Sequence, residues 1–141
     1  MSYKKILLPV AGTCHQKRAT KALAHALRLN PEHIVVLHAI DPLPKVVGGT
    51  AHAEMLREAN AEALTRLAPL VNSIEAAKVS YSVHVMEGTP ADTIIKAAHE
   101  EECDIIVMFT DGRDDLEDLL IGSITERVLR NTDLPLLAVR K

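Results

Sequence analysis

The chain has 141 residues, of which 48% are hydrophobic and 25% are charged, a composition typical of one folded domain, residues 1–141, with its own core. Aromatic residues make up 2% and the formal net charge is −3, so we expect no nucleic-acid partner, which would require a basic patch or a stacking surface. No apolar run approaches the roughly 20 residues that span a bilayer, and the N-terminal run is too short for a signal peptide, so we expect a cytoplasmic protein without membrane binding.

The first part of the chain predicts a strand, a helix and a second strand. Residues 6–10 form a continuous apolar run, as in strands that are covered on both faces. Thr13 and Gln16 match a capping box that opens a helix. Asn30-Pro31 ends this helix, and residues 33–40 are the second strand.

The middle of the chain predicts a long helix and an edge strand. After a loop at residues 41–50, a helix runs from about residue 51 to residue 71, and Pro69 should bend or end it. Residues 79–85 alternate between apolar and polar, which favours a strand at the periphery of a sheet. The buried stripe of the helix is predicted to be Leu56, Ala59, Ala63, Leu67 and Leu70.

The last part predicts two more helices and two more strands. Thr89-Pro90-Ala91-Asp92 is a helix start with an N-cap residue, a proline in the first turn and an acidic side chain. Residues 105–109 are a buried strand, residues 124–130 an amphipathic helix and residues 135–139 a final strand. The resulting β-α-β-α-β-α-β-α-β order predicts an α/β fold with a parallel five-stranded sheet and helices on both faces.

The stretch from residue 105 to residue 130 is the candidate functional site. A strand, a loop that contains Gly112 and ends at Gly122-Ser123, and a helix start together can form an anion site, because the first amides of a helix lack internal partners. The alternative for Ser123 and Glu126 is a capping box that satisfies those amides. Gly112 either admits a ligand or only allows the chain to turn.

Other chemistry has weaker support. The acidic loop at residues 111–118 offers oxygen ligands for Mg²⁺, but such a run is more often a solvated loop. Cys14 lies in a predicted first helical turn, where a redox role competes with simple packing, and Cys103 is expected to pack. The seven histidines show no metal-ligand spacing, and no serine nucleophile motif is present, so no metal and no catalytic residue are assigned.

Several segments resemble the universal stress protein family, and the likeness covers essentially the whole chain. These segments are KKILLPV near the start, GTPAD at residues 88–92, DIIVM at residues 104–108 and GSITERVLRNTDLPLLAVR at the end. The resemblance implies a flavodoxin-like or Rossmann-like sheet of order 3-2-1-4-5. It also implies a homodimer that pairs through the last strand, with an interface at Leu136, Leu137, Ala138 and Val139.

The family has a nucleotide-binding branch with a glycine motif, and this sequence matches it only in part. Gly112, Gly122-Ser123 and the second hydroxyl at Thr125 match, whereas Phe109 stands where the first glycine is expected, and Ala11 stands where an acidic residue often lies. The candidate nucleotide-binding positions that the resemblance implies are Pro9, Ala11, Ile40, Phe109, Gly112, Arg113, Gly122, Ser123 and Thr125.

Two functions follow from this partial match, and a pure dimerisation or partner-binding module is a third possibility. The first is a regulatory domain that acts by binding and dimerisation, with weak or lost ATP binding, because Ala11 removes an acceptor and Phe109 fills space that a glycine leaves open. The second is an ATP-binding protein with slow hydrolysis, which would take ATP with Mg²⁺ as its cofactor. The acidic loop weakens triphosphate binding unless a metal intervenes, although screening limits that repulsion.

Overall fold

The computed structural model describes residues 3–10, 16–40, 42, 49–110 and 122–140, and it shows nine alternating elements in these ranges. The strands are β1 (Lys5–Val10), β2 (His33–Ile40), β3 (Ser80–Glu87), β4 (Ile105–Phe109) and β5 (Leu136–Val139). The helices are α1 (Gln16–Leu27), α2 (Thr50–Ala76), α3 (Pro90–Glu100) and α4 (Ser123–Asn131). The predicted capping box of Thr13 and Gln16 falls outside the described side chains.

The strands form one parallel sheet in the order β3-β2-β1-β4-β5. This order confirms the predicted α/β fold and places the predicted peripheral strand, β3, at an edge. Starting from β1, the chain first adds β2 and β3 on one side of this strand and later adds β4 and β5 on its other side. The switch point of the topology therefore lies between β1 and β4, where open α/β sheets bind their ligands at the carboxyl ends of the strands.

Side-chain alternation along the strands divides the core between the two faces of the sheet. Ile6 and Leu8 pack with α1 and α2, whereas Leu7 packs with α3 and α4. All three side chains are fully buried, which explains why β1 has a continuous apolar run rather than an alternating one. Buried side chains thus hold the central strands on both faces of the sheet, so the carboxyl ends of these strands can position the residues of a site.

Helix α2 differs from its prediction. It continues past Pro69 to Ala76 rather than ending near residue 71, and its buried residues are Ala63, Leu67, Leu70 and Ile74. Proline inside a helix costs about 3 kcal/mol because a backbone hydrogen bond is lost. Burial of Leu70 and Ile74, each at 5% exposure or less, offsets much of that cost at about 1.5–3 kcal/mol per side chain. In the first half of α2, Leu56 and Ala59 are only half-buried.

The start of α3 confirms its prediction. Thr89 has extended backbone angles at the N-cap, and Pro90 opens the helix. The Thr89 hydroxyl does not cap a backbone amide but donates to Asp92 Oδ2 at 2.9 Å. In the part of the chain that the structure describes, no helix combines the length and the apolar character needed to cross a membrane.

Candidate functional site

The carboxyl edge of the sheet gathers most of the described candidate residues. Pro9 lies near the end of β1 beside Leu37, and Ile40 ends β2 and accepts a hydrogen bond from the Gly88 amide at 3.0 Å. Phe109 ends β4, and α4 begins one residue after Gly122. Three candidates, Ala11, Gly112 and Arg113, lie outside the described residues, as do Cys14 and the acidic loop.

The end of β1 is held by a buried histidine that the sequence patterns do not mark. His38 of β2 lies beside Val10 in the strand register, and its side chain is 5% exposed. Its Nδ1–H donates to the Val10 carbonyl oxygen, 3.1 Å away. Because a carbonyl oxygen can only accept, this bond fixes the proton of the ring on Nδ1 and ties the end of β1 to β2.

The start of α4 has no side-chain cap, so the predicted capping box of Ser123 and Glu126 is wrong. Gly122 is the N-cap residue, with extended angles of φ −63° and ψ 156°. Ser123 is instead the first helical residue and is exposed, and Glu126 accepts a hydrogen bond from Arg130 at 2.8 Å. Among the described residues, no side chain therefore caps this helix start, where the helix dipole places partial positive charge.

Thr125 is a buried polar residue in this first turn of α4. Its side chain is 1% exposed, and its Oγ1 has no hydrogen-bond partner within the described ranges. A buried hydroxyl without a partner costs about 1–3 kcal/mol. Few such groups occur in folded proteins, and an ordered water or a bound ligand commonly satisfies them. A hydrogen bond from a ligand or a water molecule would remove this cost at Thr125.

Phe109 does not stand alone at the end of β4. Its ring is half-buried and packs against the core on the α1 and α2 side of the sheet. The guanidinium carbon of Arg18, from the first turn of α1, lies 5.4 Å from the ring centroid. This distance is within the range of a cation–π contact, which extends to about 6 Å. The position expected to hold a glycine therefore carries an aromatic ring with a cation over it.

A second polar cluster lies away from this edge, on the α3 side of β2 and β3. The two ring nitrogens of His33 lie 2.9 Å from Ser80 Oγ and 3.0 Å from Ser82 Oγ. Nε2 of His84 lies 3.1 Å from Oε1 of Glu101. Partial burial, followed by the charge of a nearby lysine, lowers the pKa of His33. The contacts of His33 with the two serines therefore join β2 to β3, and the contact of His84 with Glu101 joins β3 to the end of α3.

Metal and thiol chemistry find little support among the described residues. Within those ranges, no group of three or more His, Cys, Asp or Glu side chains is placed to hold a metal ion. Cys103 is buried, as predicted, and burial raises the pKa of its thiol to about 11. A thiol that stays protonated at neutral pH is a poor nucleophile, so Cys103 is a packing residue.

Comparison with known proteins gives a consistent result. The model of the universal stress protein family matches residues 2–140. Universal stress protein MJ0531 of Methanocaldococcus jannaschii is 33% identical over an alignment that covers 99% of this chain and 83% of that protein.

Solved structures agree with the fold. The structure of MJ0577 from the same organism superposes with a TM-score of 0.79 at 27% identity. The superposition covers 100% of this chain and 98% of the MJ0577 chain. A universal stress protein family member from Arabidopsis thaliana, solved with AMP bound, has a TM-score of 0.68 at 16% identity, with 98% and 92% coverage.

Proposed function

Since this chain belongs to the universal stress protein family, we propose that it is a regulatory domain that binds an adenine nucleotide weakly and acts by binding and pairing rather than by turnover. The observation that carries the proposal is the contrast within one edge of the sheet. Within the described ranges, no side chain caps the start of α4 and the hydroxyl of Thr125 has no hydrogen-bond partner, while Phe109 occupies the position where the family motif has a glycine.

The start of α4 supports binding of a phosphate. Its first amides point towards the carboxyl edge, and the helix dipole places partial positive charge there. Ser123 is exposed at this position, and Thr125 adds a hydroxyl that gains a partner when an anion arrives. The AMP found in the plant relative is a ligand of the type that such a helix start suits.

The ends of β1 and β4 and the loop that follows β4 support weak binding of ATP. Ala11 follows β1 at the place where an acidic side chain would accept a hydrogen bond from a nucleoside. Phe109 removes the close backbone approach that a glycine allows. The loop at residues 111–118 carries five acidic residues and one arginine, so a triphosphate meets more repulsion than a monophosphate does. ATP binding is therefore weakened, and nucleotides of lower charge are favoured.

Restoring the missing acid tests this account. In calorimetry with ATP and Mg²⁺, we expect the unmodified chain to bind with a Kd weaker than about 100 μM, and Ala11→Asp to bind about tenfold more tightly. A hydrogen bond to a charged group contributes about 1.5–3 kcal/mol, which corresponds to at least this factor. Ala61→Asp adds the same charge at an exposed position on α2 and should leave the Kd unchanged.

Three results would contradict the proposal or part of it. Micromolar or tighter ATP binding by the unmodified chain would show that Ala11 and Phe109 do not weaken the site. Steady phosphate release from ATP that disappears in the double variant Gly122→Val, Ser123→Ala would replace a binding domain with a slow hydrolase. Equal affinities of Ala11→Asp and the unmodified chain would show that Ala11 is not the cause.

The proposed pairing uses the open edge of β5. The carbonyl oxygens of Pro135 and Val139 accept hydrogen bonds from the amides of Ile106 in β4 and of Thr110 directly after it, at 3.0 and 2.9 Å. Because backbone groups alternate in direction along a strand, those of Leu136 and Ala138 point away from the sheet. An unpaired apolar edge is a template for another strand. A second copy of this chain, related by a two-fold axis, satisfies it with an antiparallel pair.

Proline at the open edge tests the dimer. We expect the unmodified chain to sediment as a dimer, and Ala138→Pro to sediment as a monomer, because proline removes an outward N–H without cutting the β4 ladder. Ala138→Ser keeps that N–H and should remain dimeric. If Ala138→Pro still sediments as a dimer, the interface lies elsewhere, and a monomeric unmodified chain at high micromolar concentration would exclude pairing.

A further inference from the structure

The polar cluster on the α3 side of β2 and β3 lies at the amino ends of the strands, far from the proposed nucleotide site. His33 is the first residue of β2, and Ser80 and Ser82 lie at the start of β3. The ring nitrogens of His33 lie 2.9 Å from Ser80 Oγ and 3.0 Å from Ser82 Oγ. One side chain of β2 therefore contacts two residues of the edge strand, in addition to the backbone pairing of the two strands.

The carboxylate of Glu101 bridges the strands on either side of β2. Glu101 directly follows α3. Its Oε2 lies 3.5 Å from Lys5 Nζ in β1, and its Oε1 lies 3.1 Å from His84 Nε2 in β3. Lys5 is the neighbour of His33 in the strand register, so the bridge passes over the start of β2. The cluster thus ties three strands and the end of a helix together.

The charges around His33 oppose its protonation. The ionisable groups that act on its ring come from three elements: Lys5 from β1, His84 from β3 and Glu101 from the end of α3. Partial burial, and then the charge of Lys5, place the pKa of His33 below its ordinary value, although Glu101 acts in the opposite direction. A proton on His33 would add another positive charge beside Lys5, with one carboxylate to balance them.

We propose that this cluster is an acid-responsive clamp on the edge strand, which holds β3 at neutral pH and releases it as His33 gains a proton. Opening of β3 removes both serines and His84 from the ring and exposes it to water, so the pKa of His33 returns towards about 6.5. Below this pH the open form binds the proton more tightly than the closed form does. A fall in pH from about 6.5 to the lower pKa of the closed form therefore favours opening.

The clamp controls a different surface from the one that the proposed function uses. Among the described strands, β3 pairs with β2 alone. When β3 opens, the outer edge of β2 loses its backbone partners, and an unpaired strand edge is a surface on which another strand can pair. Acid would thus change which edge of the sheet the domain presents, whether or not a nucleotide is bound.

Hydrogen exchange of the amides of residues 81–85, corrected for the intrinsic rate at each pH, measures this opening. We expect their protection in the unmodified chain to fall about tenfold between about pH 7.5 and about pH 5.5, as for uptake of one proton on opening. His33→Gln has no titrating ring at this position, and its protection should change less than about twofold over the same range. An NMR titration of the His33 ring in the unmodified chain should give a pKa below about 6.5 and requires no variant.

Two adjacent lysines provide a matched pair of variants. Lys5→Gln removes the cation beside His33, so the ring pKa should rise and the acid response of β3 should shrink to about threefold. Lys4 is exposed and precedes β1, and Lys4→Gln should leave the tenfold response unchanged. His99→Gln removes a histidine ring that lies 3.5 Å from Asp133, away from the cluster, and should also leave the response unchanged.

Four outcomes would overturn the clamp. Better protection of β3 in acid would show that the ion pair of His84 with Glu101 outweighs the charge on His33. Protection of the unmodified chain that does not depend on pH would make the contacts merely structural. A tenfold response that persists in His33→Gln would assign the proton to another group, and a ring pKa at or above about 6.5 would remove the cause. Absence of nucleotide binding would refute the proposed function alone, because this test uses no ligand.

Discussion

Replacing Gly88 by alanine is expected to lower the free energy of unfolding by about 3 kcal/mol. Gly88 turns the chain between β3 and α3 with φ +151°, a region that side chains other than glycine rarely enter. A Cβ atom there would lie 2.7 Å from Thr93 Oγ1, which is closer than contact distance. Backbone strain and steric overlap act together, and urea unfolding of Gly88→Ala measures their sum.

A double-mutant cycle separates the two causes. Thr93→Ala removes the hydroxyl that the new Cβ would meet, but it leaves the backbone angle of Gly88 unchanged. We expect Gly88→Ala to cost about 1 kcal/mol less in the Thr93→Ala background than in the unmodified chain. If the two substitutions are additive, overlap contributes nothing and strain alone explains the loss. A Gly88→Ala variant as stable as the unmodified chain would show that the turn adapts.

Replacing Thr125 by valine is expected to raise stability while it weakens nucleotide binding. The two side chains have nearly the same shape, and the change removes a buried Oγ1 that has no partner in the described ranges. Relief of that desolvation cost should add about 1 kcal/mol to the free energy of unfolding. The Kd for AMP should rise several-fold, because the ligand loses a donor. Urea unfolding and calorimetry on the same sample measure both effects.

Thr132 provides the matched control for this substitution. Its Oγ1 accepts a hydrogen bond from the Leu134 amide at 3.1 Å, so Thr132→Val should lower stability by about 1 kcal/mol. The same chemical change is thus expected to have opposite signs at the two ends of α4. If Thr125→Val destabilises the chain as much as Thr132→Val does, the Thr125 hydroxyl already has a hydrogen-bond partner in the free protein and is not an unsatisfied group that a ligand would bind.

Most of the fold could be predicted from local patterns, because its strands and helices have clear signals. The apolar runs of β1, β2 and β4 gave their positions to within about one residue and the alternation of β3 to within about two, and the resemblance supplied the strand order. Helix α2 was predicted too short because the cost of Pro69 is local, whereas the compensating burial of Leu70 and Ile74 depends on the sheet beneath them.

The site was less predictable because its decisive contacts join distant parts of the chain. Ser123 and Glu126 fit a capping box by spacing, but Glu126 pairs with Arg130 one turn later and Gly122 takes the N-cap position. Neither the bond from His38 to Val10 nor the contact of Arg18 with Phe109 follows from periodicity. Such contacts depend on which strands become neighbours, and single-sequence patterns do not contain that information.

The strand order has a consequence for the chain as it emerges from the ribosome. Strands β2 and β3 can join β1 on one side as soon as they are synthesised, but the other edge of β1 pairs only with β4. Until Ile105–Phe109 has emerged, the largely apolar β1 therefore presents an open row of backbone donors and acceptors. The nascent chain is thus most exposed to wrong pairing shortly before β4 is made, and the arrival of β4 covers the second edge of β1.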